Sequence, residues 1–119
     1  EMLIATMHMK TDSRNRTELI DTLRATLEPT RVMPGCLSCH FCQDIDDANS
    51  FRLMAGWETE EDLSRYMGTR EFGALLVATD LLEQQPEIRF HQVAESAGIE
   101  AVGTVRAAAD PRIEGEWPA

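Results

Sequence analysis

Two stretches in which apolar side chains recur at every second residue, separated by five residues unsuited to continuing them, constrain the fold more than any other feature of the chain. From Cys36 to Ile45, the residues Leu37, Cys39, Phe41 and Ile45 alternate with Cys36, Ser38, His40, Cys42 and Asp44. From residue 51 onward, Phe51, Leu53, Ala55 and Trp57 hold the same period. Successive side chains of a strand point to opposite faces, so each stretch reads as a strand with one apolar face. Between them Asp46-Asp47-Ala48-Asn49-Ser50 is rich in turn formers, which makes the pair a β-hairpin.

The flanks supply the remaining elements. Residues 2–9, Met-Leu-Ile-Ala-Thr-Met-His-Met, are short and apolar, which predicts a first strand with both faces at least partly covered. Asp12 and Ser13 are good N-caps, and Leu19, Ile20, Leu23 and Leu27 recur at helical spacing, predicting a helix over 13–28. Pro29 lacks a backbone donor and crowds the preceding turn, so the helix is expected to stop or kink there before Pro34-Gly35 turns the chain. After the hairpin, Thr59 caps a helix of about two turns. Its first turn holds Glu60, Glu61 and Asp62, where carboxylates complement the helix dipole, and Gly68 closes it. Thr69 caps another helix with Phe72, Leu75, Leu76 and Thr79 on one stripe, and Pro86 ends that region. Ile88, Phe90 and Gln92 alternate with Arg89, His91 and Val93 in a last strand.

The resulting order is β-α-β-β-α-β with the second helical section broken in two, which predicts an α+β, ferredoxin-like sandwich: a four-stranded antiparallel sheet with helices on one face. Residues 1–95 form this domain and 96–119 a C-terminal extension. In the extension Ile99, Val102 and Val105 permit an amphipathic helix interrupted by Gly103, and Asp110 to Pro118 reads as an acidic tail. The helix-facing side of the sheet is predicted to carry Leu3, Ala5, Met7, Leu37, Cys39, Phe41, Phe51, Leu53, Ala55, Ile88 and Phe90. Met2, Ile4, Met54 and Val93 then fall on the other face, where a second subunit would cover them.

Charge and composition exclude several function classes. The formal charge is −10 and no Lys/Arg cluster exceeds isolated pairs, so the electrostatic footprint of nucleic-acid binding is missing. No apolar run reaches the roughly 18–20 residues that span a bilayer and residues 1–10 do not read as a signal peptide, so a cytoplasmic protein without a membrane partner is expected. Three cysteines crowded into seven residues are expected to be free thiols.

Pro34-Gly35-Cys36-Leu37 after a capped helix, Asp46 to Phe51 before the third strand, Trp57-Glu58-Thr59-Glu60-Glu61 entering the second helix and Arg70-Glu71-Phe72 entering the third are ordered and spaced so that residues 2–94 resemble the antibiotic biosynthesis monooxygenase family. The resemblance implies a homodimer in which two sheets close face to face into an α+β barrel. It also implies a pocket between sheet and helices in which cofactor-free members bring an aromatic substrate together with oxygen. Trp57 matches the family's tryptophan and offers that pocket an apolar wall with one donor. Tyr66 stands where many relatives have histidine and could hydrogen-bond a ligand carbonyl. With Trp57 and Tyr66 as the catalytic pair, Phe41, Leu53, Phe72 and Leu76 are assigned to the substrate wall. Two departures stand out: Leu53 replaces the asparagine that those oxygenases use four residues before the tryptophan, and Ala55 replaces a glutamate common two residues before it.

No cofactor is expected. Haem-degrading relatives use a histidine on the third helix, and residues 69–85 contain none. Cys36, Cys39, Cys42 and His40 are the residue types zinc prefers, but period two sends Cys36, His40 and Cys42 to one face and Cys39 to the other, so no metal is expected. On the same phase His8, His40 and His91 all point away from the helices. These residues lead to a cofactor-independent monooxygenase acting on a small aromatic or quinol-like compound. The rivals are a non-catalytic dimeric binding or regulatory module of the same fold, and a thiol or metal protein centred on the cysteines.

Overall fold

The computed structural model describes residues 2–110, so most of the acidic stretch lies outside the described residues. Its elements are β1 (Leu3–Lys10), α1 (Arg16–Arg31), β2 (Cys36–Gln43), β3 (Ser50–Trp57), α2 (Glu60–Met67), α3 (Arg70–Ala78), β4 (Glu87–Gln92) and α4 (Ile99–Ala109), with a 3-10 turn at Thr79–Leu81. The strands form one antiparallel sheet in the order β2-β3-β1-β4. This is the ferredoxin-like α+β fold read from the element order.

Two boundaries differ from the sequence expectation. Asp12 accepts from the Asn15 backbone N–H at 2.9 Å, holding a separate turn, so α1 starts at Arg16 instead of residue 13. At its other end the helix runs through Pro29 to Arg31. The proline lies in the last turn, where the one intrahelical bond it deletes falls to the carbonyl of exposed Ala25. Thr30 Oγ1 donates to the Thr26 carbonyl at 2.7 Å and keeps that turn wound.

The core lies between the sheet and α1 to α3. Leu3, Ala5, Met7 and Met9 of β1 and Phe51, Leu53, Ala55 and Trp57 of β3 bury their side chains there against Leu19, Leu23, Leu63, Tyr66 and Leu75. On β2 the phase is interrupted. Cys36 pairs with Trp57 and Ser38 with Gly56, so Leu37 is an extra residue in a β-bulge and is exposed instead of packing under the helices. The same bulge overturns the expected division of the cysteines: Cys36 and Cys39 share the helix side, opposite Trp57 and Ala55, while His40 and Cys42 take the other face. His8 and His91 join them there through the registers of β1 and β4.

The base of the hairpin is locked to α2. Gly35 has φ +82°, its carbonyl accepts from the Glu58 N–H at 2.8 Å, and a Cβ placed on it would meet the Asp62 carboxyl group at 2.2 Å. Asp62 in turn accepts from the Thr59 hydroxyl at 2.8 Å and from Arg65 at 2.9 Å. Gly35→Ala is therefore expected to cost about 2 kcal/mol in denaturant unfolding, from the left-handed backbone and the displaced carboxylate together. A loss below about 0.5 kcal/mol would mean that the turn adapts without positive φ.

Candidate functional site

The lock at Gly35 fixes where α2 begins, and six residues after its start at Glu60 the helix delivers Tyr66 over the end of β3. There Tyr66 stacks on Trp57 with ring centroids 4.8 Å apart and an interplanar angle of 25°. Phe72, brought in by α3 after Thr69 caps it, meets Tyr66 edge-on at 5.2 Å and 70°. Offset stacks and edge contacts at these distances are the geometries that aromatic quadrupoles favour.

Trp57 is 0% exposed, and its Nε1 donor is buried without an acceptor among the described residues. The Tyr66 phenol is pushed up from its ordinary pKa by burial, with the hydroxyl of Thr30 as a hydrogen-bond partner pulling the other way. Burial also raises the Cys36 thiol and pushes Cys39 up to about 11. Both cysteines lie within electrostatic reach of Tyr66. Arg31 closes the site on the α1 side, its Nε donating to the Cys39 carbonyl and its Nη1 to Glu28, each at 2.9 Å. An open depression of about 310 Å³ lined by Arg31, Cys36, Leu37, Ser38, Cys39 and His40 adjoins the edge of β2, so the two thiols border it as well as the aromatic stack.

The structure thus brings Trp57, Tyr66 and Phe72 together and leaves the other assigned residues elsewhere. Leu53 is buried two rungs down β3, between Met7 and Phe41. Phe41 lines a separate cleft of about 250 Å³ with Leu23, Arg24, Leu27, Gln43 and Phe51. Leu76 is 44% exposed on the outward side of α3, while its neighbour Leu75 is fully buried. Thr30, Arg31, Cys36 and Cys39 stand beside this aromatic cluster or the depression that adjoins it, and periodicity did not single them out for the site. A signal for the two cysteines was available in Gly56, since a glycine inside a strand often marks a bulge. A Cβ there would stand 3.0 Å from Ser38 Oγ, directly across from the irregularity.

Among the described residues no group of three or more His, Cys, Asp or Glu is arranged to hold a metal ion. No helix among them is long and apolar enough to cross a membrane.

The buried thiol makes stability fall at alkaline pH. Below about pH 9 Cys39 is protonated in both folded and unfolded chains, and the stabilisation from its raised pKa is fully present. As pH rises from about 9 to about 11 the unfolded chain ionises first, and roughly 2–3 kcal/mol is lost. Urea midpoints across this range should drop in the native protein and stay flatter in Cys39→Ala.

Comparison with known proteins adds the following. The family profile described as antibiotic biosynthesis monooxygenase matches residues 2–76. A protein of Synechocystis sp., sll1783, is 27% identical over 95 residues, which cover 79% of this chain and 65% of that protein. The chain therefore spans about two thirds of the length of the curated relative it matches. Among solved structures, Rv0793 from Mycobacterium tuberculosis superposes with a TM-score of 0.75 at 17% identity, covering 82% of this chain and 100% of its own. PA3566 from Pseudomonas aeruginosa gives 0.71 at 23%, with 79% and 95% covered. SnoaB, a cofactor-independent oxygenase from Streptomyces nogalater, gives 0.69 at 12%, with 80% and 95% covered. At these identities the likeness to the solved structures is one of fold.

Proposed function

The chain belongs to the antibiotic biosynthesis monooxygenase family, and from that premise we propose that it binds a small aromatic or quinol-like compound beside Trp57 and oxygenates it with dioxygen, without a bound cofactor. The observation that carries this reading is the Trp57 indole, a fully buried donor inside an aromatic stack with no acceptor among the described residues. Leaving such a donor unpaired costs about 1–3 kcal/mol, which a ligand oxygen reaching Nε1 would recover. Burial holds the neighbouring phenol and both thiols above their ordinary pKa values and hence neutral at physiological pH. Such surroundings suit a planar, uncharged ring bearing oxygen better than a carboxylate or phosphate.

In this reading the substrate supplies the electrons. One atom of dioxygen joins a ring carbon of the quinol and the other leaves as water, with both hydrogens and both electrons drawn from the substrate. Trp57 orients the ring, the Tyr66 phenol holds a ligand oxygen, and Phe72 keeps water from the reacting face. The depression at Arg31, Cys36 and Cys39 provides the approach. We also infer that a second copy covers the open sheet face, where Met54 is uncovered.

One observation favours a non-catalytic binding module instead. Leu53 and Ala55 are buried and apolar where the family resemblance implies an asparagine in the cofactor-free oxygenases and a glutamate in many relatives, so the site lacks those polar anchors. Dioxygen uptake with a panel of quinols and hydroxylated aromatics, paired with calorimetric titration, separates the two. Uptake supports the oxygenase, binding without uptake supports the module, and the absence of both removes each reading.

A further inference from the structure

The sheet and its three covering helices are complete at Gln92, yet the chain continues through residues 93–98 into α4, which buries none of its side chains. Ile99, Val102 and Val105 recur along it at three-residue spacing and are 50%, 42% and 69% exposed. Eleven residues with Gly103 among them are too few to hold a helix in water without packing. α4 takes no part in the core of the domain. It is also an addition to the fold, since about four fifths of this chain suffices to cover 95–100% of each of the three solved structures described above.

The domain has a matching deficit. Ile88 and Phe90 lie on the helix side of β4, paired with Met7 and Ala5 of β1. Those partners are buried, but Ile88 is 38% and Phe90 51% exposed, because the helical layer stops one strand short. One end of the molecule has a helix without a floor, and the sheet has a strip of floor without a helix.

Resting on the two-copy assembly inferred above, we propose that α4 is an exchanged arm. The Ile99, Val102 and Val105 stripe of each copy lies along β4 of a second copy, over Ile88 and Phe90. Two observations favour a second copy over the chain's own strand. The Val93 N–H bonds the Met2 carbonyl at 2.8 Å, so the chain keeps to the direction of β4 as far as Val93, and in the lone chain the stripe and the strip both stay uncovered. The open sheet face also spans only about 26 Å by 19 Å, a footprint of about 500 Å². Each partner of a stable complex gives up roughly 800 Å², and the arm extends the contact beyond the sheet face toward that size.

The test places a photoreactive benzoylphenylalanine at position 90 of the full chain and irradiates a mixture of isotopically heavy and light protein. A covalent heavy–light dimer whose crosslink maps to residues 99–105 is expected. A crosslink within one chain, or no crosslinked dimer from protein shown to be dimeric, overturns the proposal. Independently, Val102→Glu combined with Val105→Glu should raise the dimer dissociation constant at least tenfold while circular dichroism stays that of a folded domain. An unchanged constant overturns the arm and leaves the sheet-face assembly standing. An unaltered protein that is monomeric at every concentration removes both.

Discussion

Trp57→Phe is expected to leave the domain folded and to weaken an aromatic ligand by roughly 5- to 100-fold. The stacking of the indole contributes about 0.5–1.5 kcal/mol beyond burial, and a hydrogen bond from Nε1 to a ligand oxygen a similar amount. Together these make about 1–3 kcal/mol, and each 1.4 kcal/mol is a factor of ten in affinity. Stability should respond less than for an ordinary core tryptophan. Losing buried apolar area costs about 1–3 kcal/mol, but the same substitution also deletes a buried donor that has no acceptor. If Trp57 were only core, thermal stability would fall while affinity and turnover stayed where they were. Calorimetric titration and dioxygen uptake report one effect and thermal unfolding the other. Unchanged binding and turnover in a folded Trp57→Phe protein would take Trp57 out of the site and, with Leu53 and Ala55 already apolar, end the oxygenase reading.

The fold was legible because the hairpin and the capped helices are written in local patterns. Thr59 and Thr69 cap α2 and α3 as their positions suggest, each hydroxyl accepting from a backbone N–H three residues on. Phe51, Leu53, Ala55 and Trp57 keep one phase along β3, and all four are buried. Legibility failed where tertiary geometry overrides period. The bulge at Leu37 reverses the side on which Cys36 falls, and no alternation rule anticipates one inserted residue. Pro29 was expected to stop or kink α1, and a helix whose next threonine bonds back to the preceding turn runs past it to Arg31.

Of the candidate site, the sequence reached only the aromatic cluster. Trp57, Tyr66 and Phe72 come from three successive elements with short connections, so sequence proximity carries them to one place. Phe41 and Leu76 were assigned to the same wall from apolar character alone. Character does not tell which side of α3 Leu76 takes when Leu75 beside it fills the core, nor that Phe41 belongs to the cleft under α1. Arg31 and Thr30 were out of reach because they enter from the end of α1, beyond the proline at which a stop or a kink was expected.

Met54→Lys is expected to turn a dimer into a monomer at micromolar concentration. Met54 is 43% exposed near the middle of the open face, opposite His40 on β2 and Thr6 on β1, with Arg52 two residues away on the same side of β3. The registers add Arg89, His8 and His91 to this face, with Glu87 supplying a carboxylate that already bonds Arg89 at 3.2 Å. A lysine there shares the face with Arg52 and Arg89, and closing a second sheet over it would strip its water. Such an unpaired buried charge costs about 3 kcal/mol or more, which weakens association at least a hundredfold. The folded monomer should be unharmed, because Met54 takes no part in the core under the helices. Light scattering coupled to gel filtration reads the mass, and thermal unfolding verifies the fold. If Met54→Lys dimerises as tightly as the unaltered protein, the open face is not the contact. If the unaltered protein is itself a monomer at these concentrations, the apolar residues of that face have some other cover.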